Sequence, residues 1–441
     1  MKVSKTILRI LILLIFVTVN AQQERGISGE NNWLNGWTEF SPKSVDYGKE
    51  THVLVGDITE DMTLYKKDVY LLVGNVFVTN SAILSIEPGT VILADSKSKA
   101  TLTIAKDAAI IAEGTETDPI VFTSNKVMKK AGDWGGIILL GDAPNNRLVN
   151  NTSASRFYPQ IDTSNFNKTF FGGENVNSNS GILQYVRIEY AGKKSNISKP
   201  SNALLLACVG NNTIVNNVMI SYSEGNSFNV IGGALNLDHL VSYKSSGTDY
   251  KFNFGAQCNI NNFLAVRSPY MSSSMGSRCM QVISYDKSKS EDVDFSKKET
   301  SVKAQNLTFL TDSKTLESDI DMGLVKECVY VGENVTFIMN KSVISGFSKA
   351  VLLDEKIEIN GPNLEKIQFT NTYFNNCNGN IFTENNMNNE DIENWYGNPV
   401  FFNVYSKGSH SETFIALTNK RPDYRLRIGK IMAMSTGNTS N

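Results

Sequence analysis

Apolar residues along this chain fall in short runs rather than at helical spacing. The runs at 76–78, 83–86, 91–93, 102–104, 120–122 and 137–140 are each three or four residues long and separated by stretches that contain Gly, Asp, Asn or Ser. Such runs are the signature of short β-strands. They also repeat. Leu84-Ser85-Ile86-Glu87-Pro88-Gly89-Thr90-Val91-Ile92 is answered 18 residues later by Leu102-Thr103-Ile104-Ala105-Lys106-Asp107-Ala108-Ala109-Ile110. Ile220-Ser221-Tyr222, Val241-Ser242-Tyr243 and Ile283-Ser284-Tyr285 follow at steps of 21 and 42, with Ile188-Glu189-Tyr190 as an earlier variant, and Cys258 and Cys279 are also 21 apart. Residues 340–353 and 371–384 echo one another at 31.

A unit of 18–22 residues with two or three short strands cannot bury its own apolar side. Coiling the chain so that each strand pairs in parallel with its copy one turn later solves this. Equivalent residues then stack at about 4.8 Å. Ile, Val and Leu fill the interior, and asparagine ladders satisfy polar groups at the turns. The expectation is an all-β, right-handed parallel β-helix (a solenoid) with an N-terminal cap and inserted surface loops, Tyr222 and Tyr243 standing on adjacent coils. A leucine-rich repeat is excluded because no L-x-x-L-x-L-x-x-N register persists. A sandwich would not explain the recurring tripeptide.

The ends and interruptions set the organisation. Lys2 and Lys5 precede an apolar run at 7–19, and Ala21 supplies a small residue for cleavage. Residues 1–21 therefore read as a signal peptide, too short for a membrane anchor. No Cys follows that would accept a lipid. The mature chain, without a transmembrane segment, is expected in the periplasm, at the outer membrane or on the cell surface. Residues 22–68 are assigned to the N-terminal cap, with Trp33, Trp37 and Phe40 at its centre, 69–384 to the β-helix, and 385–441 to the last coils and a C-terminal cap. Loop insertions are expected at 142–181, which carries Phe157, Tyr158, Phe166, Phe170 and Phe171, at the charged stretch 286–303, and at 385–394.

Forty-two basic and 44 acidic residues nearly cancel, so no basic field argues for nucleic acid. Asparagine clusters at 211–212, 216–217, 261–262 and 375–376 mark turns, where Asn tolerates left-handed backbone. The five cysteines (Cys208, Cys258, Cys279, Cys328 and Cys377) show no CxxC spacing. They read as buried thiols packing as small hydrophobes, with a disulfide as the alternative that export permits.

Taken in order, GDITEDMTLYKKDVYLLVGNVFVTNSAILSIEPGTVI, AAIIAEGTETDPIVFTS, DWGGIILLGDAP, LQYVRIEYAG and NSFNVIGG resemble a family of exported Bacteroidota β-helix proteins. Some members carry misleading multidrug-transporter names. The resemblance spans roughly 56–268 and implies a pectate-lyase-like fold and a Gram-negative envelope or surface location, with no defined activity. Members commonly carry GDDSFEFFGG where this chain has the run 224–233, and a DDDFD where it has Gly247-Thr248-Asp249-Tyr250-Lys251. Of those carboxylates Asp249 stands in place and Glu224 is displaced, so a cation held by that cluster in relatives would be lost here.

Calcium needs six to eight oxygen ligands, and Glu224, Asp238 and Asp249 are too scattered in sequence to make a strong site. No cofactor is therefore assigned, with calcium as the alternative. A polysaccharide lyase or hydrolase would need a base or a carboxylate pair in a groove, with Glu189, Asp238, Lys251 and Arg267 as the candidates. Asp238 and His239 are adjacent, which on a strand sends them to opposite faces. For binding, the exposed aromatics Phe157, Tyr158, Phe170 and Phe171 and the tyrosine series Tyr190, Tyr222, Tyr243 and Tyr285 are candidates to stack on sugar rings or a partner protein. The expected function is a non-enzymatic binding or structural role at the envelope, toward a glycan or an outer-membrane protein. The alternative is a polysaccharide-degrading enzyme on the same scaffold.

Overall fold

The computed structural model describes residues 24–29, 31–148, 152–154, 167–192, 201–272, 277–285, 293–418 and 421–427. Twenty-eight strands join through parallel ladders into a right-handed β-helix with three lateral sheets. Sheet A runs from the strand His52–Ile58 to Val404–Ser406, sheet B from Val69–Val78 to Ile381–Thr383, and sheet C from Met62–Leu64 to Ile367–Thr370. The strands Gly181–Glu189, Ile214–Ser221 and Ala234–Tyr243 are long because each bends once and serves sheet C, then sheet A.

Inside, the strand alternation produces aliphatic columns. In sheet C, Leu183, Val215, Leu237, Ile260, Ala304, Met339 and Phe369 stack on successive coils, all buried. Each fully buried side chain of this kind contributes roughly 1.5–3 kcal/mol. No single coil has a core of its own, and the column supplies it.

The repeat length differs from the sequence echoes. Ser221 lies beside Tyr243, so the coil there has 22 residues, and Tyr222 aligns with Lys244. The residues that share that corner are Tyr190, Tyr222 and Lys244, all left-handed with φ of 62°, 55° and 51°. Tyr222 still touches Tyr243, edge to face at 5.8 Å. Tyr285 is not part of this series: it follows the sheet B strand Met280–Val282 and packs in the cluster containing Phe254. Cys258 belongs to sheet C, Cys279 to sheet B. The 340–353 and 371–384 stretches pair at 30 rather than 31. The 18-residue phrase marks a strand–corner–strand unit used at two different corners, since Ile83–Ile86 pairs with Ala109–Glu113 and not with Thr101–Ile104.

The N-terminal aromatic segment does not cap the end of the coil. The first coil already begins at His52, ahead of the expected 69. The preceding residues form a strap running back along the side, from late coils to early ones. Gly26 N–H donates to Lys341 C=O at 2.7 Å, Ile27 N–H to Thr308 Oγ1 at 2.8 Å and Ser28 N–H to Asn262 Oδ1 at 2.9 Å. Trp33 meets His239, Trp37 meets Tyr185, Phe40 meets Tyr243, and Tyr47 reaches Glu189. The strap enters closely at Gly26, whose φ of +79° and whose missing Cβ, which would sit 2.6 Å from Thr308 Oγ1, both require glycine. A C-terminal hairpin, Phe414–Ala416 with Asp423–Leu426, lies beside it, and Arg425 donates to Gly29 C=O at 2.8 Å. Together they bury the outward residues of sheet A, among them Val241, Leu264, Val266, Leu310, Val343 and Tyr373. The aromatics are drawn there because that outer stripe is apolar.

The insertions do the same for sheet B. Thr152–Ser153 pairs with Phe170–Phe171, and Arg147 bridges to Val293, joining the two inserted loops. Ala154, Phe171, Tyr285 and Val293 cover Phe77, Ile138, Leu140, Leu205 and Ala207. The far end of the coil is closed by the helix Asn389–Tyr396, where Tyr396 Oη donates to Ile367 C=O at 2.6 Å.

Candidate functional site

The strap and hairpin cover sheet A from Met219 to Tyr373, and the inserted loops cover the earlier coils of sheet B; sheet C presents its outer side. Alternation places two outward columns there. The first reads Ile111, Ile182, Ile214, Asn236, Asn259, Lys303, Ile338 and Gln368. The second is polar throughout: Glu113, Gln184, Asn216, Asp238, Asn261, Gln305, Asn340 and Thr370, one per coil. At about 4.8 Å per coil, the seven steps span roughly 34 Å. Side-chain bonds link the rungs: Asn259 Nδ2 donates to Asn236 Oδ1 and Asn261 Nδ2 to Asp238 Oδ1, both at 2.9 Å, and Thr370 Oγ1 to Asn340 Oδ1 at 3.2 Å. These bonds fix the amides in place. A groove of about 510 Å³ lies over Asn236, Asp238, Asn259, Asn261, Lys303, Gln305, Ile338 and Asn340.

From Gln184 onward each polar rung is followed by a left-handed corner residue: Tyr185, Asn217, His239, Asn262, Asn306, Lys341 and Asn371, with φ between 48° and 56°. The asparagine doublets thus divide two tasks. Asn216 and Asn261 face outward, while Asn217 and Asn262 turn the corner, where their short amides relieve the strain of positive φ. The same geometry corrects the expectation for His239. Because His239 sits at the corner (φ 53°) rather than in a regular strand, strand alternation fails there, and its Nδ1 lies 2.8 Å from Asp238 Oδ2. Its Nε2 is 3.4 Å from Asn262 Nδ2, and Trp33 packs edge-on against the ring at 4.7 Å.

Of the candidates read from sequence that lie among the described residues, the structure puts Asp238 on this face and separates the others from it. Asp249 and Arg267 form an ion pair at 2.8 Å inside the coil, with side chains 0% and 5% exposed. Ser242 Oγ donates to the other Asp249 oxygen at 2.6 Å, and Arg267 also donates to the carbonyls of Ser245, Ser246, Gly247 and Arg278. Burial pushes the Asp249 carboxyl up, opposed by Arg267 and Ser242. Neither reaches a ligand on the surface. Glu224 stands at the corner after sheet A, its N–H on Ala191 C=O, and Lys251 on the outer side of sheet B beside Asn229 and Gln281. Among the described residues no three of His, Cys, Asp and Glu gather as a metal site. Phe170 is half-buried, and Phe171 is buried as part of the cover over sheet B, so it is not a free stacking ring. Phe157, Tyr158 and Phe166 lie outside the described residues.

Glu189 is buried under the strap. Tyr47 Oη donates to it at 2.7 Å, and Arg187 Nε lies 3.6 Å away. Burial holds its carboxyl above the usual range despite both partners. The folded chain therefore takes up this proton more readily than the unfolded chain. Its contribution to stability is present below the ordinary carboxylate pKa and is lost as pH rises through the raised value. Glu189→Gln is thus expected to gain stability relative to the parent between acid and neutral pH. Urea midpoints at both ends of that window check the sign; a difference that shrinks toward neutral pH contradicts it.

The sequence model of the pectate-lyase-like β-helix domain matches residues 56–409. The chain belongs to that family. The match begins within the first strand and ends before the C-terminal hairpin, so the β-helix domain falls inside it while most of the strap and the hairpin lie outside. No curated protein and no solved structure matches the chain. The pectate-lyase-like scaffold serves both enzymes and non-enzymes, so activity must be argued from the site. No helix among the described residues is long and apolar enough to cross a membrane.

Proposed function

We propose that this β-helix protein is exported to a Gram-negative envelope and binds an extended glycan along sheet C without cleaving it. The observation that carries the reading is the unbroken outward column from Glu113 to Thr370. It offers hydrogen-bond donors and acceptors at a repeat close to the length of one sugar unit. The aliphatic stretch Ile111, Ile182 and Ile214 beside it suits the apolar faces of sugar rings. The export step rests on residues 1–21, and a mature chain starting at Gln22 is expected by intact mass; a product retaining Met1 contradicts it. An outer-membrane protein docking on the same face is the other partner class.

One observation favours the enzymatic alternative: the carboxylate of Asp238 orients the His239 imidazole as a general base would require. A lyase or hydrolase needs a second acid, base or cation near it. Of the other candidates, Asp249, Arg267 and Glu189 are enclosed elsewhere and Lys251 stands on sheet B, which leaves Lys303 as the one basic group lining the same groove among the described residues. The experiment is a panel of neutral and acidic glycans, with and without calcium, assayed for binding and for new reducing or unsaturated ends. Binding without turnover is expected. Asn261→Ala and Gln305→Ala should each weaken it about fivefold, the effect of one side-chain hydrogen bond of about 1 kcal/mol. Turnover abolished by His239→Ala would replace the binding reading with the enzymatic one.

A further inference from the structure

We propose that Cys279 and Cys328 are a thiol pair that closes to a disulfide inside the coil, tying together the two turns on either side of the insertion that precedes the strand Thr300–Gln305. The inference is independent of what sheet C binds.

Sheet B pairs Phe228 with Tyr250, Tyr250 with Met280 and Met280 with Val329. One position earlier, Ser227, Asp249, Cys279 and Cys328 therefore follow one another along the interior. Cys279 N–H donates to Cys328 C=O at 2.9 Å, which fixes the two as direct neighbours. Adjacent coils stand about 4.8 Å apart, inside the roughly 4.4–6.8 Å between Cα atoms that a disulfide spans. Both side chains are fully buried, and each thiol bears on the titration of the other, as Cys279 does on that of Asp249. The other cysteines have different neighbours. Cys258 stacks between Leu235 and Val302, Asn145 Nδ2 donates to Cys208 Sγ at 3.2 Å, and Cys377 Sγ donates to Asn375 C=O at 3.4 Å.

In this structure all five are thiols. The oxidant is a disulfide, R–S–S–R, small or protein-borne. The Cys279 thiolate attacks one sulfur and expels R–S⁻, which takes up the proton Cys279 gave away. Cys328, deprotonated in turn, attacks Cys279 Sγ in the mixed disulfide and expels the second R–S⁻. Two thiols and one external disulfide become the internal disulfide and two R–SH, with two electrons passing to the oxidant. Burial raises the pKa of both thiols, so the closed coil reacts slowly and exchange proceeds when the coil opens. Once made, the bond closes a long loop and restricts the unfolded chain.

The test uses the full chain, held with glutathione disulfide in denaturant just below its unfolding midpoint. It is then unfolded, alkylated, digested and mapped by mass spectrometry. A Cys279–Cys328 cross-linked peptide is expected, with Cys208, Cys258 and Cys377 alkylated and a higher unfolding midpoint that a reductant reverses. Alkylation at all five cysteines, or a link through any other pair, overturns the proposal. Because the map is read on the unmutated chain, it does not depend on a variant folding. Cys279→Ser should leave Cys328 alkylated under the same treatment, and a Cys328 that still resists alkylation also overturns it.

Discussion

Asp249→Ala is expected to destabilise the fold by about 3–5 kcal/mol, the cost of leaving a buried charge without its partner. Arg267 has nowhere to turn: its side chain is 5% exposed, and its remaining contacts are carbonyls. Arg267→Met is expected to cost a similar amount, because it strands the carboxylate and takes the Arg267 donor from the carbonyls of Ser245 and Gly247, while Ser246 C=O keeps Ser277 Oγ. The double variant Asp249→Leu with Arg267→Met should recover part of the loss, since both charges go, but not all of it, since the carbonyls remain. A double-mutant cycle by urea denaturation measures the coupling. Additive losses would mean that the two side chains do not act as a pair. The same variants test the assignment of function, because an interior pair should change stability while leaving ligand affinity at the surface intact.

Trp37→Ala is the second large effect, expected at about 3–5 kcal/mol for a buried aromatic. Its ring is fully enclosed against Tyr185, and its Nε1–H donates to Trp33 C=O at 2.7 Å. The loss should appear first in the strap. Faster amide exchange and protease cleavage are expected across residues 24–50, with the β-sheet circular dichroism of the coils unchanged. Unaltered exchange in the strap would mean that it does not depend on this anchor.

The architecture was legible in the sequence because period-2 alternation and parallel stacking leave the same trace on every coil. The trace blurred wherever the chain bends. Tyr222 and Tyr243 look equivalent as letters, yet the hydrogen-bond register sets Tyr243 beside Ser221, and only the left-handed φ shared by Tyr190, Tyr222 and Lys244 reveals the true corner. His239 was misplaced for the same reason: strand alternation does not hold at a left-handed residue. The aromatic segments were visible but their destination was not. Trp33, Trp37, Phe40 and Phe171 carry no mark that tells an end cap or a sugar platform from a cover over an outer apolar stripe, and that stripe forms only when distant strands align. The candidate site was present in the sequence as a recurring polar dipeptide, Gln184-Tyr185, Asn216-Asn217, Asp238-His239, Asn261-Asn262, Gln305-Asn306, Asn340-Lys341 and Thr370-Asn371. Unequal insertions change its spacing from coil to coil, so it reads as turn composition until the register is known. Asp249 stands in a resemblance motif and Arg267 among the charges a lyase could use; their burial depends on which side of each strand faces the lumen.

The measurement that bears most directly on the binding face is amide hydrogen exchange of the full chain, saturated and unsaturated with a glycan taken from the panel. Protection is predicted along sheet C, in the peptides containing Gln184, Asn216, Asp238, Asn261, Gln305 and Asn340, with little change at residues 167–181 or at Lys251. Protection centred on the inserted loops over sheet B, with sheet C unaffected, would contradict the assignment.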